Sequence, residues 1–198
     1  MADKEPVSRR NADATKARIL EVAQIAFSEL GYSHTGIREI AARAGTSSTL
    51  VLRYFGSKAG LFEAALSASL PVGTAIARSR ETFATDLANA LLDPANPIRP
   101  PIMLALASGD PEAAAIAARV FEEKSIADLA GWLGGDHARE RAIEIAMIAT
   151  GLVFYLRQLP IAAANENEQR RIESWFARIV QDLVDADEST ERNDDAAG

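Results

Sequence analysis

The 198-residue chain has no cysteine and only two histidines. Without cysteine there is no disulfide, no thiolate zinc site and no cysteine nucleophile, and nothing in the composition points to an oxidising compartment. His34 and His137 stand far apart, and neither belongs to an HExxH pair. No GxSxG, no P-loop and no GxGxxG following a strand occurs. Adjacent carboxylates such as Glu122 and Glu123 diverge on a helix. The sequence therefore predicts no catalytic residue, no metal site and no cofactor, and the chain reads as a non-enzyme. Aromatic residues make up only 6%, and the runs of Val, Ile, Thr and Tyr that build strands are missing. No run of eighteen apolar residues marks a membrane span. The opening MADKEPVSRRNADA has no apolar stretch for a signal peptide, so a cytoplasmic location is expected.

What remains is a globular composition, 48% hydrophobic and 25% charged, whose apolar residues recur at helical spacing. This predicts an all-α fold of about nine helices without internal repeats. The net charge of −7 is unevenly spread. Residues 1–60 carry nine Lys and Arg against six Asp and Glu, and the remainder carries twelve against twenty-two. A basic end on an acidic body fits a small nucleic-acid-binding module joined to a larger domain with another task.

Punctuation by Gly, Pro and capping residues divides the chain further. A flexible arm is expected over residues 1–12. A first helix follows from about Asp13 to Leu30, ended by Gly31. A short helix begins after Thr35, a suitable N-cap, and carries Ile37, Ile40 and Ala41 inward. A turn at Ala44-Gly45 leads to a third helix after Ser47, ending at Gly56, and a fourth starts at Ser57. Longer helices are expected over Thr74–Leu92, Pro111–Leu133, His137–Leu159 and Glu166–Ala186, with a short one at Ile102–Ala107. The acidic segment 187–198 is expected to be disordered.

Two helices of about eight residues around a tight Gly turn form a helix-turn-helix pattern. Val51, Tyr54 and Phe55 would close its small core. Ser47, Ser48, Thr49, Leu50, Leu52 and Arg53 would lie at the start or outer face of the second helix. There small hydroxyls permit close approach to a groove, Leu can lie against a thymine methyl, and Arg can take a guanine edge or a phosphate. Arg38 and Arg43 would flank the backbone, and Ser57 and Lys58 open the next helix as a phosphate clamp.

The positions Ala23, Phe27, Gly31, Tyr32, Thr35, Ile37, Ile40, Ala41, Ala44-Gly45, Ser47, Tyr54-Phe55, Ser57-Lys58 and Leu61-Phe62 together resemble the DNA-binding domain of the TetR family of bacterial regulators. The resemblance implies double-stranded DNA as a partner, with a homodimer reading a palindromic operator. It also implies a C-terminal domain that binds a small-molecule effector and releases the repressor from its site. On this basis residues 13–58 are the DNA-binding domain, contacting DNA through Arg38, Arg43, Ser47, Ser48, Thr49, Leu50, Leu52, Arg53, Tyr54, Ser57 and Lys58. The sequence departs from the family within the second helix. Leu52 stands where a phosphate-touching Tyr is usual, and Leu cannot donate a hydrogen bond.

Residues 59–186 form the expected ligand-binding and dimerisation domain. Ala142 to Leu156 is apolar nearly all round, and the last helix has a wide apolar face, so both need cover on two sides. A four-helix interface between two subunits would supply it, through Met147, Thr150, Gly151, Phe154, Trp175, Ile179 and Leu183. A ligand cavity between the helices is expected to be lined by Phe83, Leu87, Met103, Leu106, Arg119, Phe121, Met147, Phe154 and Tyr155. The competing reading is a helical adaptor that binds protein partners through the same apolar faces and binds no DNA.

Overall fold

The computed structural model describes residues 5–70, 79–159 and 165–194, with side chains over 11–70, 79–159 and 165–186. The described residues form nine helices and no strand. These are α1 (Glu5–His34), α2 (Ile37–Arg43), α3 (Ser48–Phe55), α4 (Lys58–Ser69), α5 (Phe83–Leu92) and α6 (Pro100–Ala107). Helix α7 comprises Pro111–Phe121, a π-helical turn Glu122–Ile126 and Ala127–Leu133. Helix α8 is Ala138–Val153 extended by a π-helical Phe154–Gln158, and α9 is Glu166–Asp194.

The chain divides into two compact units, Met1–Ser69 with Pro97–Val120, and Leu70–Asn96 with Phe121–Gly198. The division differs from the contiguous cut at residue 58 that the sequence suggests. Periodicity along the chain gives helices but not their partners, and α6 turns out to pack on α1 and α4.

In the first unit α1 is the central post. Ile19, Ala23, Ala26 and Phe27 are fully buried along one face of it, as their spacing predicts. They meet Leu61, Phe62, Ala65 and Leu66 of α4 and Ile102 and Met103 of α6, all likewise buried. Phe27, Tyr32 and Phe62 form an aromatic trio with ring centroids 5.0–6.3 Å apart. The helical course of α1 breaks at Gly31, where φ is 72° and ψ 177°, a region open in practice only to glycine. A Cβ there would also lie 2.9 Å from the Leu106 Cβ.

Thr35 does not cap α2; its hydroxyl turns back and donates to the Gly31 carbonyl at 2.6 Å, and Gly36 takes the N-cap position without a side-chain bond. The broken end of α1 leaves carbonyls unpaired, and the buried Thr35 hydroxyl serves them instead.

The second unit is built on Phe83, Ala84 and Ala88 of α5, Leu129 and Leu133 of α7, Ala142, Ile145, Ala149 and Leu152 of α8, and Phe176, Val180 and Val184 of α9. Two arginines close it. Arg80 donates to the carbonyls of Trp132, Leu133 and Val184 and lies over the Trp132 ring. Arg141 donates to the carbonyls of Gly134 and Leu183. Both satisfy carbonyls where α7 ends, which no later turn of helix can reach.

Three expectations shift in detail. Helix α5 starts at Phe83 rather than Thr74, with Ser79–Thr82 non-helical; residues 71–78 lie outside the described residues. Helix α1 already starts at Glu5, inside the expected arm, and α9 runs to Asp194, inside the expected disordered tail. Extending an existing helix needs no new nucleus, so composition alone marks its ends poorly.

Candidate nucleic-acid interface

The α2–turn–α3 unit is held from three sides. Ile40, Ala41 and Ala44 are buried against α1, and Val51 is the fully buried residue of α3. Tyr54 and Phe55, expected to complete the core, are only half-buried. The Phe55 ring lies at the surface with the Lys16 ammonium 5.8 Å from its centroid. Arg18 of α1 donates to the Ala44 carbonyl at 2.8 Å and so pins the turn between the two helices.

Both helix starts facing this surface are capped. The Ser47 hydroxyl accepts from the Leu50 N–H at 3.2 Å, and the Ser57 hydroxyl accepts from the Gly60 N–H at 3.0 Å. Each cap is worth about 1 kcal/mol. A Cβ on Gly60 would run into the Phe55 carbonyl oxygen, so glycine lets the start of α4 approach the end of α3. That approach fixes Lys58 relative to the recognition surface.

The expected DNA-facing residues fall into three groups. Arg38, Ser47, Thr49, Leu52, Arg53 and Ser57 are exposed, while Ser48, Leu50, Tyr54 and Lys58 are half-buried. No carboxylate of the described residues pairs with Arg38 or Arg53. The Lys58 ammonium sits 4.3 Å from the centre of the Tyr32 ring, a cation–π contact within swinging distance of solvent. Arg43 differs from its neighbours. It pairs with Glu29 at 3.0 Å and Glu39 at 2.8 Å, and the hydrogen bond to Glu29 raises its already high pKa. In this arrangement two carboxylates already balance its charge.

Tyr32, at the broken end of α1, is a buried polar side chain with a carboxylate partner. Its hydroxyl donates to Glu112 at 2.6 Å. Burial, and then the hydrogen bond to that carboxylate, push the phenol pKa well above its ordinary value. Sequence reading missed Lys16, Arg18 and the Tyr32–Glu112 bond, because each joins residues far apart in the chain.

The nine residues expected around a ligand are divided between the two units. Met103, Leu106 and Arg119 belong to the first unit. Met103 is buried beside the Ser69 hydroxyl, Leu106 packs on Gly31, and Arg119 pairs with Glu63 at 2.8 Å. In the second unit Phe83 lies 4.8 Å from Trp132, and Leu87 and Phe121 pack on the core. Phe154 is half-buried in the π-helical turn. Met147 and Tyr155 point outward, 68% and 58% exposed. The buried stripe of α8 runs through Ala142, Ile145, Ala149 and Leu152, which turns those two side chains away from the interior.

Among the residues expected at a subunit interface, Met147 and Trp175 are exposed, the latter 47%. Thr150, Gly151, Phe154, Ile179 and Leu183 are half-buried. On α9, Ile179 and Leu183 flank the stripe Phe176, Val180 and Val184 that faces the unit's own core. Asn167, Arg170, Arg171, Ser174, Trp175 and Arg178 line a groove, but all six come from α9, so it is an open helix face rather than an enclosed site. Among the described residues no metal-binding cluster of His, Cys, Asp or Glu occurs. No described helix is long and apolar enough to cross a membrane.

Comparison with known proteins agrees with this geometry. Residues 19–65 match the sequence model of bacterial regulatory proteins of the tetR family, and residues 81–184 match that of the tetracyclin repressor-like C-terminal domain. No curated protein matches the chain.

Among solved structures, a protein of Rhodococcus sp. assigned to the TetR-family transcriptional regulators superposes with a TM-score of 0.63 at 16% identity, covering 84% of this chain and 98% of its own. NalD of Pseudomonas aeruginosa, the secondary repressor of the MexAB-OprM multidrug efflux pump, superposes with a TM-score of 0.56 at 22% identity, covering 81% and 95%. A TetR-family regulator of Streptomyces coelicolor A3 gives 0.50 at 24%, covering 92% and 99%. At these identities the likeness is one of fold.

Proposed function

Because the chain belongs to the TetR family of bacterial regulatory proteins, and so is a DNA-binding transcription factor rather than an enzyme, we propose that it is a homodimeric, ligand-released repressor of a palindromic operator in the cytoplasm. The observation that carries this reading is the outer face of α3. Thr49, Leu52 and Arg53 stand exposed between two capped helix starts, with Arg38 and Lys58 on either side. This face has the size and mixed chemistry of a recognition helix, with cations at its margins for the phosphates.

Dimerisation is supported by the outward apolar residues of α8 and α9. Met147, Tyr155 and Trp175 are large, exposed and on neighbouring helices, and a monomer would leave that apolar surface in water. A two-fold pair can place two recognition helices about 34–36 Å apart, one turn of DNA. An effector held in the C-terminal helical domain would favour a state in which that spacing is lost. Phe83, Leu87 and Phe121 are the apolar candidates for its site that lie against the second unit's core.

The test is a footprint on fragments that the purified protein selects from genomic DNA. The proposal expects two symmetric half-sites protected by two chains. Protection of one asymmetric site by a single chain would contradict it.

A further inference from the structure

Leu52 is a large aliphatic side chain, 43% exposed, on the outer face of α3. Val51 supplies the fully buried contact of that helix, and Leu52 stands next to it with much of its side chain open to solvent. We propose, resting on the DNA-binding reading above, that Leu52 is a specificity-determining residue that reads the methyl group of a thymine in each operator half-site.

Of the groups that DNA presents, few suit an aliphatic side chain. Leu52 has no donor or acceptor, so it cannot serve a phosphate or the polar edge of a base. Pressing it against a phosphate would strip water from a charge and return nothing. The major groove holds one apolar group, the C5-methyl of thymine, and aliphatic side chains pair with it.

The neighbours of Leu52 limit what else the helix can read. The Ser47 hydroxyl is engaged by the Leu50 N–H. Thr49, one turn earlier and also exposed, brings a second methyl and a hydroxyl to the same side. Arg53 follows directly, exposed and without an acidic partner among the described residues. The face therefore offers an apolar patch beside one cation. That fits a thymine next to a guanine or a phosphate better than a run of G·C pairs, whose edges ask only for donors and acceptors.

The experiment uses the operator that genomic selection returns. Each thymine of a half-site is replaced in turn by deoxyuridine, which removes the methyl and keeps the pairing. Binding is measured by fluorescence anisotropy at one fixed salt concentration for the wild type, Leu52→Ala, Leu52→Met and Leu52→Gln. Losing one methyl contact should weaken the wild type about four-fold, and about fifteen-fold when both half-sites are changed. Leu52→Met should keep that discrimination, whereas Leu52→Ala and Leu52→Gln should bind the two operators equally.

If every thymine is replaceable without loss, or if Leu52→Ala and Leu52→Gln still distinguish the two bases, Leu52 does not read a methyl. Absence of any sequence-selective binding by the wild type would instead remove the DNA-binding reading, and this inference with it.

Discussion

The Tyr32 hydroxyl donates a 2.6 Å hydrogen bond to Oε2 of Glu112, eighty positions further along the chain. The bond ties the end of α1, beside the helix-turn-helix, to the first turn of α7. The Tyr32 ring carries the Lys58 ammonium on its face and the Phe62 ring at its edge. One side chain thus joins the candidate DNA-facing surface, the aromatic core and a helix from the later part of the sequence.

Tyr32→Phe should destabilise the protein by about 1–2 kcal/mol, since it removes a hydrogen bond to a charged acceptor while keeping the ring. The pH dependence has a definite sign. Folding holds the Tyr32 phenol neutral, because burial and the Glu112 carboxylate both raise its pKa. Its contribution is fully present below the unfolded value of about 10 and is lost as pH climbs from there. Urea unfolding at a series of alkaline pH values should show the wild type losing stability faster than Tyr32→Phe. Parallel curves would mean that Tyr32 ionises as easily folded as unfolded.

Gly31→Ala should cost about 2–4 kcal/mol, from backbone strain at positive φ and from the clash with Leu106. Leu106→Gly removes the clashing Cβ, which Leu106→Ala would keep. The double variant should therefore recover part of the glycine effect relative to the sum of the two single changes. Strict additivity in thermal unfolding would show that the close approach carries no energy.

Arg43 is held by Glu29 and Glu39, so its charge is only weakly available to a phosphate. Neutralising both carboxylates (Glu29→Gln with Glu39→Gln) should tighten operator binding and steepen its salt dependence by about one ion per half-site. Fold stability should change by about 1 kcal/mol or less, as the pairs are solvent-exposed. Weaker binding with an unchanged salt slope would make Arg43 a support for α2 and not a phosphate contact.

Met147→Glu should leave each chain folded and turn the proposed dimer into monomers, since the side chain is already outside the core and a charge there would have to be desolvated on association. Analytical ultracentrifugation at micromolar concentration reads this directly. An unaltered dimer would move the interface away from α8.

Much of this architecture is legible in the sequence, and the reason is local. Ile19, Ala23, Ala26 and Phe27 announce a buried helix face by spacing alone, Gly31 marks its end, and α3 lies between Ser47 and Gly56 as the punctuation places it. What sequence leaves open is tertiary. Thr35 looks like a cap but is drawn to the carbonyls of a broken helix, and Arg43 looks like a free cation until Glu29, fourteen residues away, folds against it. Met147 and Tyr155 are apolar residues in an apolar run. Only the packed face of α8 tells which of its sides is turned outward.

The account turns on α3 being a recognition helix, and one measurement addresses that most directly. Sheared genomic DNA is captured on the purified wild type and on an Arg53→Ala, Lys58→Ala variant at several salt concentrations, and the retained fragments are sequenced. The account predicts enrichment of one palindromic site by the wild type, abolished in the variant while its fold is kept. Equal retention by both proteins, with no common site at any salt concentration, would contradict it.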